Sequence, residues 1–145
     1  MKNLIEIKYK KNLIAFIIKA GFRKKGIEFF TPNEFSQQLA YMNRPKGYII
    51  NPHIHPAISR QIKFTQEIIF VKSGKVRVDF YDKKRRYLES RVVKQGDVIL
   101  LAFGGHGFEI MEDAEMIEVK QGPFFEETQA VKFEAVKKDK RKVKK

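Results

Sequence analysis

The sequence predicts an all-β protein, and three observations carry that prediction. β-Branched and aromatic residues gather in short runs. Turn signals separate the runs every eight to twelve residues, and no stretch holds a convincing helical apolar period. At 145 residues and 43% hydrophobic composition, the chain is long enough to bury a single core in one domain. A β-sandwich or β-barrel is what such a series of short strands builds.

In chain order, Asn12–Lys19 is rich in β-branched and aromatic residues and stands near Gly21, which favours a strand over a helix. Arg23-Lys24-Lys25-Gly26 is a polar turn. Ile27–Phe30 is a short strand stopped by Thr31-Pro32-Asn33, and Phe35–Met42 is the next strand. Its two glutamines, Gln37 and Gln38, point to opposite faces, so one of them either lines an interior or sits as a solvent-facing amide. Asn43–Gly47 is a turn. Tyr48–His55 alternates, with Tyr48, Ile50, Pro52 and Ile54 on one face and Asn51, His53 and His55 on the other. The loop from Pro56 to Gln66 carries Arg60 and Lys63, which are either anion-binding groups at the mouth of a site or ordinary solvated charges.

Glu67–Val71 and Lys75–Tyr81 flank Lys72-Ser73-Gly74, a hairpin signal. Tyr81 shares a face with Arg77 and Asp79, inner or outer. Asp82–Arg86 is a charged, exposed turn. Tyr87–Val93 is a strand, Lys94–Asp97 a turn, and Val98–Phe103 a buried apolar strand broken by Gly104-Gly105-His106-Gly107. Phe108–Met111 and Ala114–Lys120 form another hairpin about Glu112-Asp113. Beyond Pro123 the pattern is weak, with one edge strand near Val131–Val136.

Cysteine is absent, which excludes disulfides and thiolate metal sites. The first residues carry no long apolar run before a small-residue cleavage site, and Leu13–Ile18 is far short of a membrane span, so the expected location is cytoplasmic. The net charge of +13 raises the question of nucleic acid. Residues 137–145 hold a net +6 of it, leaving +7 for the rest of the chain. That tail, nearly without apolar residues, is expected to be disordered: either a solvated extension or a weak, salt-sensitive contact for RNA or anionic surfaces.

The chemistry concentrates on the three histidines. His53 and His55, spaced i, i+2, present both imidazoles to one face of a strand. Glu67 opens the apolar run to Val71, and His106 stands in the glycine-rich break. Three imidazoles and one carboxylate are a ligand set for a divalent first-row transition metal; the other reading is a group of satisfied polar side chains that hold no metal.

The arrangement resembles the cupin superfamily. Gly47 is followed by five residues and then His53-Ile54-His55, and Glu67 precedes Gly74 by six residues, which matches both ends of the first cupin motif. The gap from His55 to Glu67 is eleven residues where three or four are usual, a difference that a longer loop absorbs. Gly96, five residues, Ala102-Phe103-Gly104, Gly105 and His106 resemble the second motif, with alanine for proline, one residue fewer, and Ile110 at the closing asparagine position. Ser36-Gln37-Gln38, Thr65-Gln66-Glu67 and Glu118–Pro123 are also similar to a group of small stand-alone cupins, some of them associated with surface-polysaccharide biosynthesis.

The resemblance implies a double-stranded β-helix, or jelly-roll barrel, often dimeric. It divides the chain into residues 1–34 as N-terminal strands packing on the barrel, 35–122 as the barrel, 123–136 as a C-terminal edge segment and 137–145 as the basic tail. It makes His53, His55, Glu67 and His106 the ligands of one divalent metal, zinc, manganese, iron or nickel. Such a site polarises paired substrate oxygens, lowers the pKa of bound water or binds dioxygen, which opens isomerase, hydrolytic or lyase, and dioxygenase chemistry. Gln37, Gln38, Arg60, Lys63 and Tyr81 are the candidate substrate-binding residues by position. The expected partners are a small oxygen-rich molecule, of sugar or sugar-nucleotide type, and a second copy of the chain. The alternative is a barrel that binds a small molecule without turning it over.

Overall fold

The structure, a computed structural model, describes residues 3–125 and 130–145. Nine strands run through them: β1 (Leu4–Tyr9), β2 (Asn12–Ile18), β3 (Gly26–Phe29), β4 (Ala40–Asn43), β5 (Glu67–Tyr81), β6 (Tyr87–Lys94), β7 (Val98–Leu101), β8 (Gly105–Lys120) and β9 (Val143–Lys144). The only helical turn among the described residues is a single 3-10 turn at Lys138–Lys140. No described helix is long and apolar enough to cross a membrane. The protein is therefore all-β, as the sequence predicts.

The chain divides into two units, Met1–Phe22 with Phe64–Lys145, and Arg23–Lys63. The larger is one curled sheet in the order β1-β2-β7-β5-β6-β9, with β8 on the other edge of β5. β5 organises it. Its first half pairs with β7, from Glu67 opposite Leu101 to Phe70 opposite Val98, and its second half pairs with β6 from Lys75 opposite Lys94. Along its whole length the other edge pairs with β8, from Glu67 opposite Lys120 to Tyr81 opposite Gly105.

One side of this sheet buries Ile7, Ile14, Ile17, Ile69, Val71, Val76, Val78, Phe80, Val93, Ile99 and Leu101. In β5 the inward residues are odd-numbered at Ile69 and Val71 and even-numbered at Val76, Val78 and Phe80. Strict alternation cannot produce that change of parity. The register slips between Val71 and Val76 absorb it as bulges, with Gly74 at φ +79°. Lys72-Ser73-Gly74 is thus a kink inside one fifteen-residue strand, and the expected hairpin is not formed. The same holds for β8, which runs unbroken through Glu112-Asp113 because β5 supplies partners on both sides of that dipeptide.

The opposite face of β5 and β6 is also buried, by the C-terminal segment. Tyr81, 3% exposed, packs edge-on against Phe133 with centroids 5.0 Å apart, and its Oη accepts the Val136 N–H at 3.0 Å. A relay of hydrogen bonds follows. Lys142 N–H donates to Tyr87 Oη (2.7 Å), that hydroxyl to Ser90 Oγ (2.8 Å), and Ser90 to the buried Asp79 carboxylate. Arg77 clamps both oxygens of Asp79 at 2.9 and 3.2 Å and reaches Glu109 at 2.6 Å, where Arg141 joins at 3.1 Å. Burial pushes the Asp79 carboxyl up, but Arg77, Ser90 and the nearby Arg141 charge together hold it below the ordinary aspartate range.

The basic tail, expected to be disordered, therefore carries the 3-10 turn and β9, which runs parallel to β6 at Ser90 and Arg91. Residues 131–136 form no strand, and residues 126–129 of the expected edge segment lie outside the described residues.

The smaller unit holds the antiparallel pair β3–β4, with Gly26 opposite Asn43 and Phe29 opposite Ala40. The predicted strand over Phe35–Met42 begins only at Ala40, because Thr31–Leu39 is closed as a loop: Leu39 N–H donates to Thr31 Oγ1 at 3.1 Å. Tyr48–His55 has the alternation of a strand but no ladder partner among the described residues, and forms none. Alternation records which residues could share a face; a strand also needs a neighbour for its N–H and C=O groups.

Candidate metal and ligand site

In the larger unit, Glu67 Oε2 and His106 Nε2 lie 3.1 Å apart. Glu67 begins β5, whereas His106, the second residue of β8, stands opposite Phe80, thirteen positions further along β5. A flat ribbon would separate those two levels by roughly 40 Å at ~3.3 Å per residue. They meet because the β5–β8 ribbon curls, and the bulges about Gly74 are where a paired ribbon gains extra bend and twist. The glycine-rich break supplies the other half of the geometry. Gly104 has φ +82°, and a Cβ there would stand 2.3 Å from the Tyr81 carbonyl oxygen. Only glycine lets the chain pass this close and start β8 with His106 aimed inward.

A recess lined by Thr65, Phe80, Leu101, Phe103, Gly105 and His106 opens beside the pair. The hydrogen bond from His106 holds the Glu67 carboxyl below the ordinary glutamate range against the opposing effect of burial, helped by the charges of His106 and Lys120. Lys120 Nζ is 3.9 Å from Glu67 and directly opposite it in the ladder. Sequence reasoning missed this lysine. The signal becomes readable only once β5 and β8 are known to pair antiparallel, which sets the first residue of one against the last of the other.

In the smaller unit, His53 and His55 hold their rings 5.0 Å apart and nearly perpendicular. His53 Nδ1 is 2.9 Å from the Asn51 carbonyl oxygen. A carbonyl only accepts, so Nδ1 donates, and in the neutral ring this leaves Nε2 with its lone pair, the form in which imidazole ligates a metal. Taken by itself, neither unit gathers three or more acidic or imidazole groups of the described residues about one point. The groups of each pair offer nitrogen or oxygen donors only, the chemistry a divalent zinc, manganese, iron or nickel ion accepts.

The remaining candidates separate. Gln38 is engaged inside its own loop: its Oε1 accepts from Thr31 Oγ1 (2.7 Å) and its Nε2 donates to the carbonyls of Pro32 (2.9 Å) and Phe35 (3.0 Å). Gln37 is half-buried in the same loop, and Arg60 and Lys63 are exposed. Tyr81 is committed to the C-terminal segment, on the side of β5 away from Phe80 and the recess. Comparison of the chain with family models, with curated proteins and with solved structures gives no match.

Proposed function

We propose that the chain is a metal-binding, cupin-like jelly roll in which His53, His55, Glu67 and His106 hold one divalent transition metal, and that it acts on a small oxygen-rich molecule of sugar or sugar-nucleotide type. The observation that carries this reading is the Glu67–His106 pair. Two residues that the motif assigns to one metal, 39 positions apart in sequence, stand within 3.1 Å. Before a metal arrives, the hydrogen bond from His106 holds Glu67 as an anion. A metal held through His106 Nε2 would need that nitrogen free of its proton, so occupancy should fall at low pH. The bound metal supplies Lewis-acid polarisation of substrate oxygens. Phe80, Leu101 and Phe103 give the recess apolar walls, and Lys120, paired with Glu118 at 2.6 Å and standing 3.9 Å from Glu67, places a cation near the Glu67 carboxylate.

The same reading makes the protein cytoplasmic and homodimeric. The partly exposed apolar side chains of Phe70 on β5 and Ile117 and Val119 on β8, which share one face of the ribbon, support burial against a second copy. The second functional reading is ligand binding without turnover. It is favoured by the engagement of Gln38 and Tyr81 in structural contacts, which leaves fewer polar groups for acid–base work.

The test is elemental analysis of untagged protein beside His53→Ala and Glu67→Ala. About one metal per chain in the wild type, lost in both variants, is the expected result. Metal retained in Glu67→Ala would reduce the ligands to the three histidines. A wild type that takes up none of the four metals on reconstitution would sink the metal reading. Turnover of sugar phosphates or sugar nucleotides that disappears in His53→Ala supports the enzyme; thermal stabilisation by the same compounds without turnover supports the binding protein.

A further inference from the structure

We propose that two hairpin tips of the larger unit form a binding surface for single-stranded nucleic acid. The first tip joins β1 to β2 and carries Lys8, Lys10 and Lys11. The second joins β5 to β6 and carries Lys83, Lys84, Arg85 and Arg86. They are far apart in sequence, and the fold brings them together: Arg86 Nη2 donates to Tyr9 Oη at 2.9 Å. The Tyr9 ring is flanked by both tips, with the Arg86 guanidinium 5.8 Å and the Lys10 ammonium 5.7 Å from its centre.

The described acids nearby neutralise only Arg86 and Lys8. Asp82 is 4% exposed, and its carboxylate is consumed by the Lys84 and Arg86 backbone N–H groups and the Arg86 side chain. Glu6 pairs with Lys8. Among the described residues, Lys10, Lys11, Lys83, Lys84 and Arg85 make no ion pair, and all five are exposed. Asp82 also takes two of the turn's N–H groups, so the second tip is not a cradle for a small anion. Its charge lies on long, separated side chains, which suits a polymer of spaced phosphates.

The kind of polymer follows from the side chains. Neither tip exposes a large apolar residue to enter a bilayer. Tyr9 packs on the core and stays half-exposed with the Lys10 ammonium and the Arg86 guanidinium over its ring, so an unpaired base that displaces the exposed Lys10 side chain gains a ring to stack on while its phosphates meet the surrounding cations. The C-terminal tail is a poorer surface despite its composition, because residues 137–145 hold no aromatic ring among their cations, and Arg141 is spent on Glu109 and Lys144 on Glu89.

Fluorescence anisotropy with a labelled oligouridylate of about twenty nucleotides tests the surface. Neutralising five phosphates predicts a log–log salt slope of about −3.5. The pairs Lys10→Glu with Lys11→Glu, and Lys83→Glu with Lys84→Glu, should each lower affinity about tenfold or more near 100 mM salt. Lys137→Glu with Lys140→Glu on the tail should change it less than about twofold. Unfolding midpoints of all three proteins should match the wild type. The proposal is overturned if the wild type fails to bind near 50 mM salt, if the tip variants bind as well as the wild type, or if the tail variant loses as much as they do. Tip-dependent binding to phosphatidylserine vesicles, with no binding to the oligonucleotide, would assign the surface to membranes instead.

Discussion

Asp79→Ala should lower the free energy of unfolding by about 3–5 kcal/mol, read as a lower urea midpoint at unchanged slope. The carboxylate is 3% exposed and accepts from Arg77 twice and from Ser90. Its removal leaves the guanidinium of Arg77, itself 7% exposed, to Glu109 alone, and breaks the relay through Tyr87 to Lys142. Because Glu109 still neutralises part of that charge, the loss should fall toward the lower end. The pH dependence fixes the cause. A carboxyl held below its unfolded pKa contributes stability that is fully present above that pKa and is lost as pH falls through the folded value. The wild type should therefore lose this contribution below the ordinary aspartate pKa of about 3.9, and the Asp79→Asn and wild-type stability curves should converge as pH drops through that window. Parallel curves would show that packing around Asp79, and not its charge, stabilises the C-terminal segment.

Gly74→Ala should cost about 2–4 kcal/mol and separate Glu67 from His106. The glycine has φ +79°, and a Cβ on it would lie 2.0 Å from the Asp113 carbonyl oxygen and 2.6 Å from Ala114 Cα. Those are backbone atoms of β8, so relief requires the β5–β8 ribbon to open where it bends. Gly47 is the control: its φ is +84°, but a Cβ there meets nothing within 4 Å. Gly47→Ala should cost only the left-handed backbone term, about 1–2 kcal/mol. Urea unfolding of the two variants separates strain from collision, and equal losses would refute the collision. Metal content supplies the functional readout. If the bend brings Glu67 to His106, folded Gly74→Ala should bind metal more weakly than folded Gly47→Ala.

The sequence alone determined the elements whose signals are local. Asn12–Ile18 is a strand because its β-branched and aromatic run has no helical period, and the turn at Lys94–Asp97 sits where Gly96 permits it. The resemblance to the cupin motifs put Glu67 and His106 in one group, and their side chains stand 3.1 Å apart. It did not tell how they meet.

What only the tertiary structure decided depends on partners distant in sequence. Lys72-Ser73-Gly74 has the composition of a hairpin turn, yet β8 pairs across it and makes it a bulge; a local reading cannot tell the two apart, since both require a glycine with positive φ. Tyr48–His55 has the alternation of a strand and no ladder neighbour among the described residues. Leu4–Tyr9, with no marked signal of its own, becomes β1 because β2 offers it a ladder. The face of Arg77, Asp79 and Tyr81 looks equally suited to solvent or interior until the C-terminal segment covers it. That segment looks disordered by composition because its order comes from acids and hydroxyls supplied by β5, β6 and β8. Hydrophobic period is a property of neighbours in sequence, whereas hydrogen-bond ladders and buried ion pairs belong to neighbours in space, and in this sheet the second kind set the curl that joins Glu67 to His106.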